Sequence, residues 1–370
     1  TQQQNIGEVL QFFNEARRPV KSSDRVPGPF PYLGASGTVD YVEGFTHEGS
    51  YLCVSEDGAN LLTRSLPIAW VQDGKFWANN HLQVLGGVSR EHLTFFRYAI
   101  ESTNIAAYVT GSAQPKLSKA SLSSIKVPKF SRGEEERIGK LLSAIDDKIV
   151  ANQTSISKID EILRALWQKE LSLGSIDVPL SSLASFINGK AFTKGASGTG
   201  RVVVRIAEMN SGIGSRTVYN DIDAAPDNVV DPGELLFSWS GTLMTKRWPY
   251  DQAIVNQHIF KAVPNGQLDL WALRQAIDAQ LEYFQMIAAG KATTMGHIKR
   301  GDLDQEVEVP AQMSEETNQL GNSLWRLATS LEIQNLQLAR TRDELLPLLM
   351  SGRITVGEAE DAADEAASES

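Results

Sequence analysis

The sequence predicts an α+β protein made of two tandem mixed α/β domains separated by two long helices that pair antiparallel as a coiled coil. Three observations predict this class. Residues 131–173 and 313–356 each carry apolar side chains at alternating three- and four-residue steps, the seam of a helix packed lengthwise on another. Sliding one segment onto the other brings Ile138 onto Leu320, Ile145 onto Leu327, Asn152 onto Gln334 and Leu163 onto Leu345. The order of strands and helix before the first segment also recurs before the second. That pattern is a pseudo-two-fold internal repeat of about half the chain.

The first domain, residues 1–130, alternates short apolar runs with Gly, Pro, Asn and Asp. Strands are expected at Ser50–Ser55, Pro67–Gln72 and His81–Leu85, with turns at Glu56-Asp57-Gly58 and Asp73-Gly74. Glu91–Ala107 reads as one amphipathic helix with Leu93, Phe96, Ile100 and Ile105 inward. A strand-like Ile125-Lys126-Val127-Pro128 leads into the first long helix, 131–173, which Ser131 caps and Glu134–Glu136 suit electrostatically. Its seam is Ile138, Leu142, Ile145, Ile149, the polar Asn152, then Ile156, Ile159, Leu163 and Leu166. Roughly 38 residues at 1.5 Å each make a rod of about 57 Å, which needs a partner to be stable.

The second domain, 174–312, repeats the plan. Strands are expected at Arg201–Ile206, Glu234–Trp239 and His258–Val263, and one helix over Leu270–Ala289. Asn79-Asn80-His81 is answered by Asn256-Gln257-His258; the pair reads chiefly as side chains that satisfy backbone groups beside a strand. Gly34–Thr38 and Gly195–Thr199 share the pentapeptide GASGT, a match at a different offset and so only suggestive. Val307–Pro310 leads into the second long helix, 313–356, with Leu320, Leu324, Leu327, Leu331, the polar Gln334, Leu338, Leu345 and Leu348 on its seam. Asn152 and Gln334 either fix the register of the helix pair or are simply exposed. Residues 357–370 hold six acidic and no basic side chains and read as a disordered tail.

With 370 residues and 42% apolar content there is material for two cores. The single cysteine, Cys53, precludes an internal disulfide and fits a reducing compartment. No apolar run approaches a membrane span and the N-terminus is not signal-like, so a cytoplasmic location away from membranes is expected. The net charge of −10 argues against a uniformly basic nucleic-acid binder. Much of that acidity lies after residue 312, while residues 1–130 are close to neutral, so a local basic face is compatible with the composition.

Catalytic chemistry is not visible. There is no Asn-Pro-Pro loop, no Gly-Lys-Ser/Thr phosphate loop, and no metal-ligand spacing among the five histidines. Asp146-Asp147-Lys148 lies mid-helix, where a solvated charged face is the ordinary reading. No metal and no bound cofactor is expected.

The chain resembles the specificity (S) subunits of type I restriction-modification systems. The resemblance rests on Tyr32–Gly37, Phe76–His81, Gln114–Leu117, Ile125–Glu135 and Ile145–Ile149 in the first half. In the second it rests on Leu235–Gly241, Asn256–His258, Thr293–Ile298 and Leu345–Gly352. It implies two target recognition domains, one per half of a bipartite double-stranded DNA target, held apart by the helices. It also implies two methyltransferase (M) subunits and restriction/translocase (R) subunits as partners. S-adenosylmethionine belongs in the methyltransferase partner, and this chain is expected to be no enzyme itself. The acidic tail is not settled by the resemblance.

A duplex presents equivalent groove faces about 34–36 Å apart, a scale on which paired helical rods act as a ruler. Domains reading different half-sites should share the residues that build the fold and differ in those that read bases. DNA-binding candidates in the first domain are therefore Ser36, Thr38, Arg64, Lys75, Gln114 and Lys116. In the second they are Lys194, Arg201, Lys246, Arg247, Lys291, Thr293, Thr294 and Lys299. Arginine can fork onto guanine, Gln and Asn suit adenine, and lysine mostly meets phosphate. Trp239 and Trp248 flank Lys246-Arg247, and either stacks on an unstacked base or fills a core. Two other readings are a coiled-coil scaffold with protein- or glycan-binding modules, and an enzyme with duplicated sites at His81 and His258.

Overall fold

The computed structural model describes residues 2–111, 113–290 and 296–368. It forms two compact units: one runs to Ile149 and resumes at Gln337, the other is Val150–Leu336. The division passes through both long helices, so each unit holds one mixed module and part of each rod.

The first module contains β1 (Gln2–Asn5), β2 (Gln11–Phe12), β3 (Pro27–Gly34), β4 (Gly37–Val42), β5 (His47–Glu48) and β6 (Tyr51–Ser55). It continues with β7 (Ala69–Gln72), β8 (Lys75–Ala78), β9 (Leu82–Gly86), helix α1 (Arg90–Ser102) and β10 (Lys126–Lys129), and the first rod is α2 (Arg132–Leu173). In the second module lie β11 (Ser175–Pro179), β12 (Ala184–Asn188), β13 (Arg201–Val204), β14 (Tyr219–Asn220) and β15 (Val229–Val230). There follow β16 (Leu235–Ser238), β17 (Met244–Arg247), β18 (Ala253–Val255), β19 (Ile259–Pro264), α3 (Leu270–Ala279), α4 (Leu281–Gly290) and β20 (Glu306–Pro310). The second rod is α5 (Glu315–Ser351), followed by α6 (Val356–Ser368).

The modules have one topology. The first has sheets ordered β4-β3-β8-β5 and β2-β9-β6-β7; the second has β14-β13-β18-β15 and β12-β19-β16-β17. A parallel strand pairing also recurs: Leu33 faces Ala78 across β3 and β8, and Val204 faces Val255 across β13 and β18. A two-stranded ribbon, β1 with β10 or β11 with β20, joins each module's first and last strands. The GASGT match has no counterpart in this correspondence. Gly34–Thr38 forms the β3–β4 hairpin, whereas Gly195–Thr199 precedes β13.

Two helices differ from expectation. The expected helix through Ala107 stops at Ser102, where the Ser102 and Thr103 hydroxyls donate to the carbonyls of Tyr98 and Ala99 and offer the backbone an alternative to another turn. The expected single helix over 270–289 is two, parted at Gln280, and Phe284 of α4 then reaches Phe237 with ring centroids 5.9 Å apart.

The rod segments pair within each unit, and in the second their contacts run antiparallel. In the first, Asp146 of α2 accepts from Arg342 of α5 at 2.8 Å. In the second, Asn152 donates to Gln334 and Asn335 at 2.7 and 2.9 Å, and Glu170 accepts from Ser314 and Thr317. Each module grips its rods through arginines on rod carboxylates. Arg97 and Tyr98 of α1 meet Asp146 at 2.6 and 2.5 Å; Arg274 of α3 meets Asp160 at 3.2 Å.

A close backbone approach sets each module against its rod. A Cβ on Gly139 would lie 1.9 Å from the Glu91 carbonyl oxygen of α1, and one on Gly321 2.3 Å from the Trp271 indole of α3. Gly139 and Gly321 occupy matching positions in the repeat, one residue after Ile138 and Leu320.

This approach corrects part of the expected seam. Ile138 and Ile145 are buried, with Ile138 2% exposed, but Leu320 and Leu327 are 46% and 49% exposed. In the second unit the buried face of α5 runs instead through Thr317, Gly321, Trp325 and Ala328. The large rings of Trp271 and Trp325 require small residues beside them, and the leucines are rotated outward.

The acidic tail is also corrected. Residues 356–368 are helical, with Val356, Ala359 and Ala363 buried in the first unit's core at i, i+3, i+7. Thr355 and Glu358 exchange reciprocal capping bonds at 2.8 and 3.3 Å. An alanine face hidden among the acids supplies the burial that the charge count obscured.

Alanine in place of a helical glycine normally stabilises by about 1 kcal/mol. Gly139→Ala and Gly321→Ala should reverse the sign and cost about 1–3 kcal/mol in urea unfolding, while Leu327→Ala should stay within about 0.5 kcal/mol.

Burial would raise the pKa of Asp146, but the Tyr98 hydrogen bond and the Arg97 and Arg342 charges outweigh it and hold it below the ordinary 3.8. A depressed carboxylate pKa gives stability that is present above the unfolded value and lost as pH falls through the folded one. Melting temperatures across pH 2–7 should show that acid loss reduced in Asp146→Asn.

Candidate nucleic-acid interface

In each module one end of the sheets carries a crown of loops held by the same backbone bonds. In the first module Glu56 N–H donates to the His81 carbonyl (2.9 Å), Gly58 N–H to Pro115 (3.0 Å) and Leu117 N–H to Glu56 (2.7 Å). In the second, Trp239 N–H donates to His258 (3.1 Å), Gly241 N–H to Gly296 (2.9 Å) and Ile298 N–H to Trp239 (3.0 Å). Bridges Asp57–Lys116 and Ser240–His297 complete the match. The frame thus equates Glu56 with Trp239, Asp57 with Ser240, Lys116 with His297 and His81 with His258. Arg17, a few residues after β2, closes the first crown on Glu56, and Asn188, the last residue of β12, closes the second on Trp239.

The side chains on this common frame differ. The first crown is a charged network. Glu56 takes Arg17 at 2.6 Å and Lys116 at 3.2 Å, and Asp57 meets His81 Nδ1 at 2.8 Å. His81 and Lys116 are its exposed members. The second crown is aromatic. The half-buried Trp239 ring packs on His258 (centroids 5.4 Å) and His297 (6.4 Å) while its Nε1 donates to Asn188 Oδ1 at 2.9 Å. Lys190, Lys194, Lys299 and Arg300 are exposed on the adjoining chain segments.

His81 and His258 follow their strand turns alike, but the residue that satisfies the backbone in the first module is Asn79, whose Oδ1 accepts the His81 N–H at 2.7 Å. Asn80 and Gln257 are exposed.

The sequence-predicted candidates are scattered among several environments. Gln114 and Lys116 lie in the first crown, and Lys299 directly follows Ile298 of the second. Ser36 and Thr38 are exposed at the β3–β4 hairpin, and Lys194 is exposed in the loop before β13. Lys75 lies over the Phe45 ring, 4.7 Å from its centroid, and Lys246 and Arg201 are half-buried on β17 and β13. Lys291, Thr293 and Thr294 lie outside the described residues.

Two arginines are corrected. Arg247 is 2% exposed; its Nε and Nη2 fork onto Glu332 at 2.8 and 3.1 Å, and its guanidinium lies over the Trp325 ring. It joins the second module to α5 and presents nothing to a base edge. Arg64, a helix C-cap in the left-handed region (φ 50°), donates to the Glu101 carboxylate and carbonyl, both at 2.7 Å. Glu101 in turn accepts the Ile68 and Ala69 N–H groups, so Arg64 braces the start of β7. Trp248 is fully buried and serves a core, which disposes of stacking there.

Sequence reasoning passed over Trp239, His258 and His297 as contacts of one site. Their signal was the repeat itself, since Asn79–His81 and Asn256–His258 mark the same turn; pairing Glu56 with Trp239 needs the backbone bonds. Among the described residues no group of three or more His, Cys, Asp and Glu could hold a metal ion, and no helix is long and apolar enough to cross a membrane.

Arg247→Ala should strand Glu332 beside a cavity and cost about 3 kcal/mol of stability. Thermal melting of the variant checks this, with the loss expected whether or not DNA is present.

Comparison with known proteins matches residues 2–161 to the family model described as "Type I restriction modification DNA specificity domain". A putative type I restriction enzyme specificity subunit of Haemophilus influenzae is 40% identical over 140 residues, 38% of this chain. The match spans 36% of that relative's length. The crystal structure of a type I restriction-modification S subunit from M. genitalium is similar over 94% of this chain and 96% of its own, with TM-score 0.65 and 14% identity, a likeness of fold. An HsdS subunit from Thermoanaerobacter tengcongensis covers 99% of this chain and 96% of its own at 13% identity, with a TM-score of only 0.29.

Proposed function

We propose that this chain, whose residues 2–161 match the type I restriction modification DNA specificity domain, is a specificity subunit whose two modules each read half of a bipartite DNA target. The observation that carries the reading to the second module is the duplicated crown: one backbone frame, two sets of side chains. A reader of two unlike half-sites needs this combination. Conserved geometry positions the loops, and the side chains on them set which base edges are accepted. Exposed lysines and arginine beside the second crown suit phosphates, which fix register and supply sequence-independent affinity.

The chemistry of modification lies elsewhere on this reading. Methylation and cleavage come from methyltransferase and restriction subunits, with S-adenosylmethionine held by the methyltransferase, and this chain supplies recognition and attachment. The uninterrupted α2 and α5 serve as the ruler for the gap between half-sites.

Co-purification with a methyltransferase subunit, followed by mapping of methylated adenines, tests the proposal. A two-part motif with a fixed unspecified gap is expected; methylation without a defined motif would refute it. Lys190→Ala should weaken binding evenly across sequences and reduce the slope of log K against log salt by about 0.9 if it meets one phosphate. Inserting four residues into each rod, about 6 Å of helix, should change the gap and leave both half-sites as they were.

A further inference from the structure

The two crowns can be compared position by position, because the backbone bonds rather than an alignment make the match. Lys116 and His297 share a place: each precedes the residue whose N–H donates to the strand-end carbonyl, of Glu56 in one module and of Trp239 in the other. Each also forms the antiparallel bridge to the next residue, Asp57 or Ser240. The surroundings then diverge. Lys116 stands largely exposed over a carboxylate that also holds Arg17, so its ammonium is tethered at one side and open at the other. His297 is half-buried, its ring edge-on to the Trp239 indole, so an aromatic surface stands where the first crown has an ammonium.

From this, and resting on the function proposed above, we infer that Lys116 and His297 are equivalent specificity-determining positions, one for each half-site. Lysine presents only donors and suits the two acceptors of guanine; an imidazole with an indole beside it suits the apolar contact of a thymine methyl. The frame does not depend on either side chain, since every bond that defines it is made by the backbone. Exchange at these positions therefore changes what is read without changing how the loops are held.

The test uses the full chain assembled with the methyltransferase subunit it co-purifies with. Lys116→His and His297→Lys are made separately, each checked for unchanged melting temperature and assembly, and methylated sites are mapped. Each variant should alter base preference in a single half-site, a different one for each, by about tenfold or more. The second half-site and the gap remain as internal controls. Wild-type motifs from both variants would overturn the inference, as would loss of all methylation in variants that still melt and assemble normally. A wild-type complex without a two-part motif would instead overturn the function on which the inference rests. Trp239→Phe, which keeps a ring beside His297, should retain the wild-type motif; a changed motif there with His297→Lys silent would assign the reading to the indole and overturn the role given to His297.

Discussion

Everything in each unit depends on how closely a module can approach its rod, and two helical glycines decide that distance. At Gly139 there is no room for a methyl group against the α1 backbone, and at Gly321 none against the Trp271 ring. A helix pays about 1 kcal/mol for an interior glycine. That cost is offset by burial of the surfaces that the approach brings together, including Phe95 and Phe96 in one unit and Trp271 and Trp325 in the other. Orientation follows from the same contact, because arginines on each module reach rod carboxylates only when the helices lie this near.

The two units solve one packing problem with different residues. In the first, large aliphatic side chains of α2 meet an aromatic face; in the second, tryptophans meet Gly321 and Ala328. Volume is conserved across the interface rather than residue by residue. Matching positions can therefore be buried in one unit and exposed in the other, as Ile138 and Leu320 are.

The long helices were legible because periodicity over five or more turns is a strong signal, and the repeat order was legible because the strand turns carry Asn-x-His. Several features were not. The ribbon strand β1 is polar throughout and β11 offers only two alternating apolar residues, Ile176 and Val178, and their partners lie more than 120 residues away. The α6 helix was hidden by composition, because its apolar face is alanine rather than leucine. Arg247 looked like a base reader beside a lysine in a short strand; only Glu332, on a helix 85 residues later, shows its place. The crowns were least legible, since bonds between backbone atoms leave no trace in residue type.

The ribbons β1–β10 and β11–β20 bring the first and last strands of each module side by side. A segment whose two ends meet can vary between them with neither rod lengthened nor shortened. The ribbon thus works as a socket: the loops of a module can differ in length and sequence while the strands that anchor it, and the rod beyond them, stay as they are.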